Sequence, residues 1–413
     1  MVRTAALKLG VEIARRSSPP EGAADTVVSL RPEVPGDGTV LLSYILSPFL
    51  LKEHEPLPTS HNNYRRSLQI AKVFLSLGYA VDVIDYRNAA FIPRKPYSCI
   101  VDVRRNLERL DPFLNEDCIR IMHIDTCHAL FHNAAETRRL MALQYRRGVA
   151  LQPRRTAPLN RAIEHADYAT MTGNAFTIGT FAYARKPIFR VPQTACAVYP
   201  WPEEKDYGAY RKSFLWLGSG GLVHKGLDLV LEAFAGMPEY RLSICGPVER
   251  EQDFVAAYRK ELYHTPNIHT IGWVDVASPA FIDITRRCIG MVYPSCSEAQ
   301  AGSVVACMHA GVIPVVSCEA GVDAGDFGLT LVNSSVDEIQ QAVRWLSQLS
   351  PGELREKARK TWDHARAYHT HERFEDEYRT VIETIMIDRG RACCASSMRR
   401  DGRLAPAAGS LSP

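Results

Sequence analysis

Short apolar runs alternate with helical stretches along most of the chain, and the alternation halts once, between Pro192 and Tyr210. Before that break, strand-sized runs begin at Val40 (Val-Leu-Leu-Ser-Tyr-Ile-Leu) and recur at Ala80 to Tyr86, Cys99 to Val103, Ile119 to Ile124 and Tyr168 to Thr172. Leu68, Ile70, Ala71, Phe74, Leu75 and Leu77 keep helical spacing between the first two runs, and Gly78 closes that helix. Apolar strands separated by helices are the pattern of a parallel α/β sheet covered on both faces. The pattern resumes at Phe214 to Leu217, Tyr240 to Cys245, Ile268 to Ile271, Ile289 to Tyr293 and Ile313 to Ser317, with helices from Gly226 to Ala235 and from Val336 to Leu346. Two Rossmann-like α/β domains follow, over 39–192 and 214–368, with a proline-bearing linker at 193–213. The length of 413 residues agrees, since single cores stop growing at roughly 250 to 300.

The ends depart from this pattern. Residues 1–38 read as a mobile extension that starts with a short helix, Thr4 to Arg15, and passes through turn signals at Ser17-Ser-Pro-Pro and Pro35-Gly-Asp-Gly. Phe374, Tyr378, Val381, Ile382 and Ile385 give the segment 369–388 one apolar helical face, and 389–413 reads as a disordered tail.

Charge and cysteine usage narrow the function. A net charge of +3 argues against a dedicated nucleic-acid binder. Eleven cysteines without a Cys-x-x-Cys pair point to reduced thiols in the cytoplasm. No apolar stretch approaches the roughly 20 residues of a membrane span. Six arginines from Arg138 to Arg155, in three adjacent pairs, read either as a solvated or ion-paired face or as a contact to an anionic acceptor or the inner membrane surface. Arg154 and Arg155, in a loop after Gly148 and Pro153, are the pair freest to reach a ligand.

Two turns carry the chemistry. Met291 to Tyr293, the break at Pro294 to Ser297 and the small residues from Ala299 to Ser303 form a strand, a turn and a helix start, where amides of Gly302 and Ser303 would meet an anion and Glu298 would accept from hydroxyls. Leu215-Trp-Leu-Gly-Ser-Gly-Gly-Leu-Val-His-Lys-Gly forms a second such turn, with Gly218, Ser219 and Gly220 as a phosphate cradle and Lys225 as a point charge. Its spacing fits neither a Walker motif nor a dinucleotide fingerprint. Both turns sit where open α/β sheets bind ligands, at the carboxyl ends of strands. A diphosphate bearing a hydroxylated group, such as a sugar nucleotide, suits the pair.

On these residues the chain resembles the retaining glycosyltransferases of GT-B fold, of the family 4 type. Pro294-Ser-Cys-Ser-Glu298 matches the first acidic motif, and Met308 and Gly311 fall at matching places. Ala306 replaces the second Glu, which usually holds the ribose, and Ser219 replaces an Arg that grips the pyrophosphate with Lys225. The resemblance implies two Rossmann-like domains facing a cleft, a C-terminal helix crossing back to the first domain, and transfer of a hexose from a nucleoside diphosphate sugar to a saccharide or lipid-linked acceptor, with retention and in polysaccharide or glycoconjugate synthesis. Gly272 and Val274 resemble the segment lying along the nucleotide base. His123, at the end of a predicted strand, takes the place of a histidine near the reacting carbon, with His128 second; a hydrogen-bonded core histidine is the alternative. Asn174, at the cleft edge, is read as acceptor-side or as a turn residue. No cofactor is expected, and the absence of an Asp-x-Asp beside a strand points to metal-independent transfer. A non-catalytic scaffold of the same fold and a nucleotide-sugar epimerase are the alternative functions.

Overall fold

The computed structural model describes residues 14–15, 26–34, 36, 38–52, 55–58 and 62–390. Eight strands build the first sheet: β1 (Ala14–Arg15), β2 (Val27–Leu30), β3 (Thr39–Tyr44), β4 (Ala80–Asp85), β5 (Cys99–Asp102), β6 (Ile119–Ile124), β7 (Tyr168–Met171) and β8 (Ile188–Arg190), in spatial order β1-β2-β4-β3-β5-β6-β7-β8. From β4 to β8 the neighbours are parallel, while β1 and β2 add antiparallel at the edge. Valine- and isoleucine-rich strands buried on both faces explain the runs that the sequence displays. Val40, Leu42 and Ile121 pack on one side and Leu41, Met122 and Ile124 on the other.

The N-terminal reading changes where it can be compared. Ala14 and Arg15 lie in a strand opposite Ser29 and Val28, rather than in a helix. Val27–Leu30 pairs with Val81 to Ile84 instead of belonging to a mobile extension, because its alternating burial matches a sheet edge. Residues 1–13, 16–25, 35 and 37 of that extension, and the tail from 391, lie outside the described residues.

The second sheet is wholly parallel: β9 (Ser213–Leu217), β10 (Arg241–Cys245), β11 (Ile268–Gly272), β12 (Gly290–Tyr293), β13 (Ile313–Ser317) and β14 (Leu329–Leu331), in order β11-β10-β9-β12-β13-β14. Between the sheets the linker is packed rather than loose. Lys205, 6% exposed, donates to the carbonyls of Thr285 (3.1 Å) and Gly311 (3.4 Å), and Trp362 donates to the Tyr199 carbonyl. A polar, aperiodic composition hid these anchors, which are single side chains rather than a repeating face.

The last helix, His371–Asp388, crosses to the first domain. Its Phe374, Tyr378, Ile382, Ile385 and Met386 complete one face of the first core beside the helix Asn63–Ser76. Gln69 secures the crossing by donating to the His371 carbonyl (3.0 Å).

Candidate functional site

Strand order in the second sheet reverses between β9 and β12, so the connections leaving those strands open a crevice at their carboxyl ends. The two turns singled out in the sequence are the loops bordering this crevice. Lys225 enters from the turn after β9 and Glu298 from the turn after β12, and their side chains form an ion pair that is 6% and 15% exposed. Lys225 Nζ also donates to the Tyr293 hydroxyl (3.0 Å), which donates to Glu298 Oε1 (3.1 Å).

Burial pushes Lys225 below the ordinary lysine value, opposed by the charge of Glu298. The same burial would raise Glu298, but Lys225, Arg155 and His224 outweigh it and hold the carboxyl well below its usual range. A lysine and a glutamate thus share one desolvated pocket, each charged because the other is there.

Residues of both domains fix the Glu298 turn. Glu298 N donates to the Glu319 carbonyl (2.8 Å), Cys127 Sγ to the Glu298 carbonyl (3.0 Å) and Thr177 Oγ1 to the Ala299 carbonyl (3.1 Å). Gly321, at φ +72°, and Gly173 flank the Ala299 carbonyl from opposite domains, and a Cβ on either would lie 1.6 or 2.8 Å from that oxygen. Only glycine allows such an approach. Beside the turn, His132 Nε2 donates to the Arg155 carbonyl (2.7 Å), its Nδ1 lies 3.0 Å from Ser297 Oγ, and His224 Nε2 donates to the Ser297 carbonyl (2.6 Å). The two rings lie 4.6 Å apart, and burial lowers both, His224 to about 3. Two neutral imidazoles therefore wall the pocket.

The glycine-rich turn does less than its composition promises. The Gly218 amide bonds the Cys245 carbonyl, and Glu251 takes the amides of Gly221 and Leu222. Ser219 and Gly220 keep amides without a protein partner among the described residues. Opposite them, the helix Gly302–His309 starts at Ala301 with no side-chain cap, leaving the Gly302 and Ser303 amides open to an anion. Gly246, which the sequence reading did not single out, follows β10 and lies between Gly218 and Gly272, so three glycines at adjacent strand ends form a ledge without side chains. Gly272 has φ +89° and open space around it, Val274 packs on the second core, and Trp273 between them stands 61% exposed.

Residues expected on the first domain fall in different places. His123 is fully buried, with Nδ1 2.8 Å from Thr170 Oγ1 and its ring between Tyr44 and Tyr378. It shares the strand face of Ile119 and Ile121, which the crossing helix covers, so it does not face the cleft. Burial lowers it to about 3. Asp125, the residue after the strand, stands at that edge instead, 3.3 Å from Arg104 and bonded by Asn63. His128 caps the helix Ala129–Arg147 and lies against Phe181 and Tyr183. Asn174 caps the helix Ala175–Gly179 and donates to the Cys318 carbonyl across the cleft, so its polar groups are committed. Arg154 pairs with Asp253 at 2.5 Å. Arg155 lies against the glycine-rich turn of the second domain: its Cγ would be 2.5 Å from a Cβ on Gly221, and its charge acts on Lys225, Tyr293 and Glu298. His123, Asp125, His128 and His132 form no shared cluster; among the described residues no three His, Cys, Asp or Glu side chains are placed to hold one metal ion.

Residues 211–348 match the sequence model of the family described as glycosyl transferases group 1. No curated protein matches the chain in sequence. Among solved structures, sucrose-phosphate synthase from Thermosynechococcus elongatus is similar at 13% identity and a TM-score of 0.57, over 85% of this chain and 99% of that one. HepE from Anabaena, in complex with UDP, is similar at 11% identity and a TM-score of 0.53, over 85% and 100%. WaaG, a glycosyltransferase involved in lipopolysaccharide biosynthesis, gives 13%, 0.51, 83% and 99%. The chain spans about half the length, 55%, of TarM from S. aureus, at 11% identity and a TM-score of 0.48 over 68% of this chain. No helix among the described residues is long and apolar enough to cross a membrane. The chain has the GT-B fold, and residues 211–348 of its second domain are similar to the glycosyl transferases group 1 model.

Proposed function

We propose that the protein is a retaining glycosyltransferase of the family 4 type, which moves a hexose from a nucleoside diphosphate sugar to an acceptor hydroxyl without a metal ion, in polysaccharide or glycoconjugate synthesis. The observation that carries this reading is the convergence of Lys225 and Glu298 at the reversal point of the second sheet, under the first domain. HepE, of similar fold, has been crystallised with UDP and glucose. A diphosphate entering the crevice would take Lys225 from Glu298, freeing the carboxylate to hold sugar hydroxyls. The open amides of Gly302 and Ser303, with those of Ser219 and Gly220, would meet the phosphoryl oxygens. Arg155 supplies a second cation from the first domain, near the turn where Ser219 leaves none. Charge building on the departing diphosphate would be met by groups already in place, and the neutral His132 and His224 would keep the pocket dry. The base would lie along Gly246 and Gly272, and the acceptor, a saccharide or lipid-linked saccharide, would come from the first-domain side.

Nucleotide release from a panel of UDP, GDP and ADP sugars tests the reading. Turnover of one donor that falls at least about 100-fold in Glu298→Ala, as loss of a transition-state contact commonly does, supports it. Binding of a nucleotide sugar without turnover with any acceptor would leave a binding module, and an isomerised sugar nucleotide formed without acceptor would make the protein an epimerase.

A further inference from the structure

Between the domains, beside the Glu298 turn, lies a cavity of about 420 Å³ that none of Lys225, Tyr293 and Glu298 lines. Its size is that of a small-molecule site. One wall is the helix Ala129–Arg147, which turns Arg138 and Arg139 toward it; the facing wall holds Cys296, Glu319 and the loop from Asn333 to Ser335. We propose that this cavity binds a small phosphorylated sugar at a site separate from the donor turns.

Three features converge on that chemistry. The first is charge. Arg146, also on the lining, is neutralised by Asp228 at 2.7 Å and Glu232 at 2.8 Å, whereas Arg138 and Arg139 make no ion pair among the described residues. Arg139 Nη1 is buried without a hydrogen-bond partner, although Asp228 feels its charge. On the lining itself three arginines face one carboxylate, Glu319, while Asp228 and Glu232 lie behind Arg146. Adjacent guanidinium groups in a partly desolvated wall favour a phosphoryl group, which accepts several charge-assisted hydrogen bonds at once.

The second feature is shape. Phe131 and Phe176 meet edge to face, with ring centroids 5.2 Å apart, and Leu229 extends the apolar surface. Such a floor suits the C–H face of a sugar ring, with the phosphate toward the arginines. The third is the loop at the rim. Ser334 has φ +53°, a conformation a non-glycine residue avoids, and Glu338 imposes it by accepting from the amides of Val332 (2.6 Å), Asn333 (3.0 Å) and Ser334 (2.7 Å). Strain kept in place by its surroundings is characteristic of ligand-binding loops. This loop presents an amide and two hydroxyls, groups that read sugar hydroxyls. The wall at Glu319 also carries the carbonyl bonded by Glu298 N, so occupancy would bear on the turn that positions Glu298.

Thermal-shift titrations of the full chain with hexose 6-phosphates, the parent hexoses and inorganic phosphate at constant ionic strength test the site. Saturable stabilisation by one hexose 6-phosphate, weaker with its hexose or with phosphate alone, is expected in the wild type and in Lys225→Ala. Its midpoint should rise at least about tenfold in Arg138→Gln/Arg139→Gln, the loss of one charge-assisted contact or more. Asn333→Asp keeps the acceptor for Ser335 N while adding a negative charge at the rim. It should weaken binding similarly if the double variant does not fold. No saturable shift with any hexose 6-phosphate overturns the proposal. So does a shift lost in Lys225→Ala but unchanged in the arginine and Asn333 variants, since the ligand would then lie in the donor turns. Equal binding of inorganic phosphate would overturn the sugar assignment.

Discussion

Lys225 and Glu298 form a buried ion pair in which each is charged chiefly because of the other. Removing one partner should cost more than removing both. Glu298→Ala leaves a desolvated ammonium and is expected to lower unfolding free energy by about 3 to 5 kcal/mol, whereas Lys225→Met/Glu298→Leu should recover most of that loss without regaining turnover. Urea denaturation of the single and double variants measures this; equal destabilisation of both would contradict the paired description. Arg155 differs because its side chain is exposed. Arg155→Ala should change stability by no more than about 0.5 kcal/mol while weakening nucleotide-sugar binding, which calorimetry would read directly. Glu298 and Lys225 were legible in the sequence because each sits in a turn directly after a strand, and chain order fixes which edge of the sheet such turns occupy. His123 was misplaced because strand position gives its height but not its face, and the covering Tyr378 lies 255 residues away, beyond any local pattern. His132 left no signal, since its meaning comes from Ser297 and His224 in the other domain.

At the scale of elements, the helix Ala129–Arg147 and the loop after it hold the two domains together. Arg146 bonds Asp228 and Glu232, Arg147 bonds Glu261 and stacks 4.5 Å over Tyr258, and Arg154 bonds Asp253. Three of the six arginines in the run therefore form an interdomain clamp. Composition showed six cations without local acids, but the acids that pair with them lie 82 to 114 residues onward, where spacing within the run gives no clue. These contacts should not be worth the same. Asp228 is fully buried and its Oδ1 already lacks a partner, so Arg146→Ala should cost about 3 to 5 kcal/mol. Arg154 and Asp253 are 38% and 27% exposed, and Arg154→Ala should cost less than about 1 kcal/mol. Salt sorts them too: at about 1 M, where screening reaches about 3 Å, the Arg154 contact should vanish from a double-mutant cycle while the Arg146 contact persists. Similar costs for the two variants would mean that burial does not govern the clamp.

For the whole molecule, buried titrating groups set the pH range in which both domains stay folded. Burial lowers His309, His369 and His371 to about 4, and His123 and His224 to about 3, from an ordinary 6.5. His309 donates to the His369 carbonyl and His369 to the Gln193 carbonyl, so these rings join the second domain to the linker in their neutral form. Below pH 6.5 the unfolded chain takes up protons that the folded chain refuses, and stability must fall as pH drops toward 4. Each such group adds a slope of about 1.4 kcal/mol per pH unit. At the alkaline end the sign reverses. Burial raises Cys127, Cys196 and Cys288 to about 11 and Cys245 and Cys296 to about 12, from 9.0, so the unfolded chain sheds protons first and stability falls as pH rises past 9. Lys205 opposes this. Lowered from 10.5 to about 8 by burial, it is less favourable charged in the folded state, and its contribution improves across that interval. One lysine does not balance five thiols, so unfolding free energy should peak between about pH 7 and 9 and fall more steeply on the acid side than one proton allows. Urea titrations from about pH 5 to about pH 10 would show the peak. His369→Gln offers the specific check: a neutral amide in place of the ring removes one proton from the acid slope, and an unchanged slope would mean that His369 is not held neutral where the domains join.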